Sequence, residues 1–266
     1  MTCFYCATCG AQFAPSPGPP ERCPVCEDQR QYVPASGQRW TTLDELRERH
    51  RTEVRTEGEY AGVGMDPGFA IGQRALLVPL RDSSLMWDCI PLLDDAGAAE
   101  VERRGGLAAI AISHPHYYTG MVEWAHRFDC PIHIHAADAR WIMRPDPAVE
   151  LWDGDVRDLG DGLTLLRLGG HFAGGTVLHD ANRGTLLSGD IVQVIPDRGH
   201  VGFMYSYPNL IPLPAASVQA IAGGLEPYAF DAIYGAWWGR VIGADGKEIV
   251  RRSADRYGRA LRGELE

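Results

Sequence analysis

Two groups of residues in this sequence have types and spacings that could hold metal ions. The first is "CATCG" followed by "CPVC", which sets Cys6, Cys9, Cys23 and Cys26 in the pattern C-x2-C-x13-C-x2-C. Each C-x-x-C can wrap two thiolates round one face of a tetrahedral ion, and the intervening "GAQFAPSPGPPER" lets the chain return with the second pair. Cys3 competes with Cys6 for a place in the set, and the spacing to Cys9 favours Cys6. A segment this small cannot bury a core, so the ion would supply most of its folding free energy. The second group is "SHPHYYTG", residues 113 to 120, which follows the apolar run "LAAIAI". Such a run reads as a buried strand, which puts His114 and His116 on the loop at its end. In extended chain these two point the same way, and both imidazoles could reach one cation if Pro115 keeps the stretch out of helix. The competing reading is a solvated loop with two incidental histidines.

Three more fragments place polar or glycine-rich turns after apolar strands: "LGGHFAGGT" around His171, "LLSGDIV" around Asp190, and "AIYGAWWGR" near the end. The glycines beside His171 would let backbone approach a bound ion or ligand closely, and Asp190 could present a carboxylate from a strand end. His133 and His135 alternate on a predicted strand and read as core or edge residues. His179 and His200 have no matching motif. Cys89 and Cys130 stand alone among apolar residues and read as packing thiols.

The elements that must position these residues are legible in outline. A boundary falls at Pro34–Gly37, after which "TTLDELRERH" carries the Thr42-x-x-Glu45 spacing of a capping box, so a helix begins there. From Tyr60 short apolar stretches punctuated by turns predict successive strands: "FAIGQ", "ALLVPL" and "LMWDCI". A helix is expected over Ala96–Arg103, then the "LAAIAIS" strand, a helix in "GMVEWAHRF", a strand in "CPIHIHA" and a short helix in "AADARWIM". Strands follow in "LTLLRLGG", "GTVLHDA" and "GTLLSGDIV", and a helix in "SADRYGRALRGEL" closes the chain. Sheets covered by helices on both outer faces fit this order. The organisation expected is a four-cysteine metal module over 1–36, a linker helix over 37–59 and a main domain over 60–266.

Composition limits the function. With 266 residues, 45% hydrophobic and 23% charged, the chain is an ordinary folded protein of one large domain and a small appendage. A net charge of −10 and the lack of a basic stripe disfavour general nucleic-acid binding. The longest apolar runs fall far short of the roughly 18 residues that span a bilayer. No basic start followed by an apolar stretch opens the sequence, so a cytoplasmic protein is expected, where paired C-x-x-C elements bind metal more often than they form disulfides. The segment "IPDRGHVGFMYSYPNLIPLP" could pack on a second copy to form a homodimer, and the sequence does not fix the oligomeric state.

The cysteine segment resembles a zinc ribbon or rubredoxin-like knuckle, which implies zinc there, with iron as the alternative. Residues 60–262, through "LMWDCI", "SHPHYYTG", "LGGHFAGGT", "LLSGDIV" and "AIYGAWWGR" in that order, resemble the metallo-β-lactamase superfamily. That resemblance implies an αββα sandwich with a metal site at one edge. It assigns His114, His116 and His171 to the first metal position and Asp190 to the aspartate position. It also shows departures: Tyr118 and Thr119 stand where the family's H-x-H-x-D-H loop has Asp and His, and Trp237 or Trp238 stands at the late histidine. Those are second-metal ligands, so the expectation is one ion, zinc or else iron or manganese. The activity implied is hydrolysis of a small ester-, thioester- or lactone-like substrate. Asp190 would act as ligand or base, and Tyr118 or Tyr117 as donor to a developing oxyanion. The alternatives are a mononuclear iron enzyme of oxygen or sulfur chemistry, and a catalytically degenerate interaction protein.

Overall fold

The computed structural model describes residues 1–265. Two sheets face each other. One has seven strands in sequential order, Arg51–Glu57, Tyr60–Asp66, Ala75–Pro79, Ser84–Trp87, Leu107–Ala111, Ile132–His135 and Val149–Trp152. The other has six: Val156–Gly160, Leu163–Arg167, Thr176–Asp180, Thr185–Gly189, Ala232–Gly235 and Val241–Ile242.

Period-two alternation decides which side chains go where. Leu76, Val78, Leu85, Trp87, Ala109 and Ala111 of the first sheet pack against Leu163, Leu165, Leu178, Leu187 and Tyr234 of the second, forming the inner layer. The residues between them, Ala75, Leu77, Met86 and Ile110, turn outward and are covered by helical residues such as Leu46, Val101, Met121, Val122 and Trp124. On the far side Val177 and Leu186 meet Val218, Ile221 and Leu225 of helix Ala215–Leu225 and Ile249, Val250 and Ala254 of helix Gly246–Leu261. The result is the expected αββα sandwich. Among the described residues no helix is long and apolar enough to cross a membrane.

The stretch 37–59 departs from the linker helix expected of it. Thr42 does cap a helix, with the reciprocal Glu45 bond of a capping box, but that helix is only Leu43–Arg49. Before it, Trp40–Thr42 pairs antiparallel with Phe4–Cys6. After it, Arg51–Glu57 is the outer strand of the seven-stranded sheet. Charged residues in "RTEVRTE" disguise this strand, and they are what an edge strand carries to discourage further pairing. The cysteine module is also packed into the body: Tyr5, Ala11 and Val25 are buried in the same cluster as Tyr117, Tyr118 and Met121. Gln12 donates through Nε2 to Glu123 (2.8 Å), and Ala14 N–H donates to the Met143 carbonyl (3.0 Å).

Candidate metal centre

The loops that carry His114, His116, His171 and Asp190 leave the strands at one edge of the sandwich. Ser84–Trp87 and Leu107–Ala111 run parallel and end side by side, so Asp88 sits at the root of the histidine loop and its Oδ1 accepts the Ser113 N–H (2.8 Å). From the other sheet, Thr176 N–H donates to the Ser113 carbonyl (2.9 Å). Gly189, just before Asp190, has φ +51°, and a Cβ there would lie 2.5 Å from Ser113 Oγ. A glycine is needed at that close approach.

The histidine loop is not extended. Pro115–Tyr117 form a 3-10 turn with proline at its start, while His114 keeps extended backbone. Proline's fixed φ suits the first position of such a turn, where its missing N–H leaves no bond unmade. His114 and His116 still converge, with ring centroids 5.1 Å apart, and His171 joins them at 4.9 and 5.1 Å.

One donor atom from each of His114, His116, His171 and Asp190 lies within 4.8 Å of the others. His171 Nδ1 donates to the Tyr205 carbonyl (2.8 Å) and His114 Nδ1 lies 2.9 Å from Ser113 Oγ, so in each ring the other nitrogen faces the group. His171 Nε2 is 3.3 Å from His116 Nδ1, and His114 Nε2 is 3.7 Å from Asp190 Oδ2. The edge of a tetrahedron with metal–nitrogen bonds of 2.0–2.1 Å is about 3.3–3.4 Å. The four residues are 0–4% exposed, and His114 Nε2 is buried without a hydrogen-bond partner. Buried polar atoms are rarely left unsatisfied, and an ion would satisfy this one, so the residues fit a single zinc-class ion.

Electrostatics favours the ligand forms. Burial pushes His114 and His116 well below the usual imidazole value, with neighbouring His171 adding to the effect. His171 is pushed down to about 4 by burial, partly offset by its bond to the Tyr205 carbonyl. Three neutral imidazoles are thus available at any physiological pH. Asp190 is pushed up to about 7 by burial; the hydrogen bond from Tyr117 opposes this and the Asp88 charge reinforces it.

At the second-metal positions the structure places other groups. Of the two tyrosines it is Tyr117 whose hydroxyl donates to Asp190 Oδ1 (3.1 Å). Tyr118 is buried toward the cysteine module, its carbonyl accepting the Gln12 N–H (3.3 Å). Thr119 Oγ1 is buried without a partner. Trp237 Nε1 donates to the Ile71 carbonyl (2.9 Å). Trp238 lies over Gly62 and Gly64, where a Cβ would meet its ring at 2.4 and 2.7 Å, with the Arg55 guanidinium 4.8 Å from the ring. Both tryptophans line a cavity of about 460 Å³ with Gly72, Gln193 and Arg240. The aromatic wall beside the imidazoles is Tyr117, Phe172 and Tyr207.

The second metal-capable group is Cys6, Cys9, Cys23 and Cys26. Their sulfurs approach to 3.4 Å (Cys6–Cys26) and 3.6 Å (Cys9–Cys23), and Thr8 N–H and Gln38 Nε2 donate to Cys6 Sγ. Cys3 lies outside the set, and Cys89 and Cys130 are buried singly. His133, His135, His179 and His200 stay out of both groups. His135 bonds the Gly154 carbonyl, His179 the Ala229 carbonyl and His200 the Asp197 carboxylate, while His133 lies by Glu150. Sequence reasoning missed Arg30, whose buried guanidinium reaches the His171 carbonyl; an arginine four residues past a cysteine pair carries no signal that it is internal.

The two sheets, their outer helices and the cluster of three histidines and one aspartate at the sandwich edge define a protein of the metallo-β-lactamase fold, and that is the fold of its structural neighbours. One is the metallo-β-lactamase FIM-1 from Pseudomonas aeruginosa in its mono-zinc form, at 15% identity with a TM-score of 0.56 over 78% of this chain and 96% of that one. The chain belongs to one family with the uncharacterized protein YmaE of Bacillus subtilis (strain 168): the two are 44% identical over 272 aligned positions covering 100% of this chain and 99% of YmaE. A shorter likeness, 31% over 160 positions, joins 51% of this chain to 56% of the acyl-coenzyme A thioesterase MBLAC2 of Bos taurus. No protein-family model matches the sequence.

Proposed function

We propose that this chain is a hydrolase with a single metal ion held by His114, His116, His171 and Asp190, acting on a small thioester, or on an ester or lactone of similar reactivity. The observation that carries this reading is the convergence of three neutral imidazoles and one carboxylate on a point where His114 Nε2 has no other partner. The partial likeness to a protein named as an acyl-coenzyme A thioesterase puts thioesters first among the substrates.

A zinc-class ion in such a site lowers the pKa of a bound water toward about 7 and polarises a carbonyl. The chain's own groups divide the remaining work. Tyr205 and Ser113 fix the His171 and His114 rings with Nε2 inward. Tyr117 occupies Oδ1 of Asp190 and leaves Oδ2 toward His114. Burial holds the Asp190 carboxyl near 7, so it gives up a proton on joining the ion as fourth ligand; left off the ion it would instead serve as the base for the bound water, and it cannot do both. Burial, with the Asp190 charge beside it, holds the Tyr117 phenol well above 10 and therefore protonated; its one proton goes to Asp190, so its role is to orient that carboxylate, and the oxyanion-donor role expected of Tyr118 or Tyr117 is not assigned.

The test is turnover of a panel of acyl-coenzyme A thioesters, aryl esters and lactones by protein whose metal content has been measured. Asp190→Ala should lower turnover tenfold or more, and His114→Ala/His116→Ala should lose one equivalent of metal while the cysteine site keeps its own. Iron at the histidine site would redirect the search to oxygen or sulfur redox chemistry. The near-complete burial of all four ligands favours a second reading, a catalytically silent centre in an interaction protein. Full metal loading with no turnover of any panel member, and with Asp190→Ala changing thermal stability alone, would select it.

A further inference from the structure

We propose that Arg30, in the cysteine module, is a positioning residue for the histidine centre; this rests on the reading that the cluster of three histidines and Asp190 binds an ion. The short helix Pro24–Glu27 carries Cys26 and delivers the chain at Asp28. Asp28 then grips Arg30 with both oxygens, Oδ1 accepting from Nε (2.6 Å) and Oδ2 from Nη2 (3.0 Å). The clamp leaves Nη1 free to donate to the His171 carbonyl (3.3 Å). The guanidinium lies 4.1 Å from the centre of the Phe172 ring and 5.0 Å from that of Tyr205, so it sits between the residue following His171 and the residue whose carbonyl holds the His171 ring.

The backbone on either side is fastened to the same segment. Ser206 Oγ donates to the Arg30 carbonyl (3.0 Å), and Asn209 Nδ2 donates to the carbonyls of Gln29 and Gln31 (2.9 Å each). Arg30 is 8% exposed. A buried arginine whose charge is matched by one carboxylate and whose remaining donor goes to a ligand's own carbonyl does for His171 what outer-shell partners do for metal-binding histidines generally. They fix the ring's place, and their loss typically costs about 10–100-fold in metal affinity. Cys23 and Cys26 would help hold an ion in the cysteine site, and such an ion would order the segment that supplies this contact.

The experiment uses the full chain with zinc in the cysteine site and cobalt titrated into the histidine site against a competing chelator. Wild type, Arg30→Ala, Arg30→Lys and, should alanine fail to fold, Arg30→Met are compared. Loss of the guanidinium should weaken cobalt binding about 10–100-fold and shift the visible cobalt bands, with the zinc content of the cysteine site unchanged. Lysine, which cannot fork between Asp28 and the His171 carbonyl, should not restore either property. Val218→Ala, a cavity in the opposite layer, serves as a control for general destabilisation and should leave cobalt affinity as it was. Cobalt affinity and bands in the Arg30 variants within about twofold of wild type would overturn the positioning role. A wild-type chain whose cobalt uptake equals that of His114→Ala/His116→Ala would instead show that the histidine centre itself had been misread.

Discussion

Burial makes a quantitative claim about how the histidine centre takes up metal as pH falls. An exposed site of three imidazoles near 6.5 and a carboxylate near 4 would release mostly imidazole protons. Here the order is inverted. The imidazoles are lowered by burial, His171 to about 4 and His114 and His116 well below the usual imidazole value, whereas Asp190 is raised to about 7. Metal affinity should therefore be full above pH 7 and decline as pH falls through 7, the direction set by a carboxyl that must give up its proton to become a ligand. At pH 5 about one Asp190 in a hundred is ionised, so affinity should fall roughly a hundredfold between pH 8 and 5. With ordinary residues three imidazoles each about 3% neutral at pH 5 would cut affinity by about 30,000-fold. At pH 6 the buried site should release about 0.9 proton per metal bound, and an ordinary one about 2.3. Calorimetric titration of cysteine-loaded protein at pH 6 in buffers of different ionisation heat counts those protons, with His114→Ala/His116→Ala as the blank. A count of two or more would refute the inference that burial holds these imidazoles neutral.

Other outcomes follow from single contacts. Tyr117→Phe removes the hydrogen bond that holds Asp190 down, so the pH midpoint of metal loading should rise by about one unit, read from the same titration. Gly170 has φ +79°, and a Cβ there would meet Ile221 Cδ1 at 2.8 Å; Gly170→Ala should cost about 1–3 kcal/mol, seen as a lower denaturant midpoint. Arg74 and Glu57 form an ion pair with side chains 1% and 9% exposed. Arg74→Met strands a buried carboxylate, so the chain should lose about 3–5 kcal/mol, and a melting temperature within about 2 °C of wild type would contradict that account.

That His114, His116, His171 and Asp190 would lie together could be read from sequence because each lies just past an apolar strand, and strand ends are where a sandwich of this kind carries its loops. The choice between adjacent tyrosines could not. In extended chain, residues 114, 116 and 118 share a face, which points to Tyr118. In a 3-10 turn residues three apart eclipse, and it is the Tyr117 ring that stands 4.4 Å from His114. Strand Arg51–Glu57 was hidden by the charges that suit its edge position. Helix Ala215–Leu225 was hidden by alanines and glycines that give no strong apolar stripe. Arg30 was illegible for a different reason: its burial depends on Asp28, Phe172 and Tyr205 meeting around it, and nothing local in "CEDQR" foretells that company.

The packing of the cysteine module against the histidine loop sets an order of events during synthesis. Residues 3–26 leave the ribosome well before residues 113–123, yet the partners of Tyr5, Gln12 and Val25 include Tyr118, Met121 and Glu123. At about 5–20 residues per second those partners follow roughly 5–20 s later. During that interval the four thiols have no core to enter, and an ion captured by the two C-x-x-C pairs is what can fold the knuckle unaided. An ion held by these four thiols would make metal supply at the moment of translation bear on the yield of folded chain.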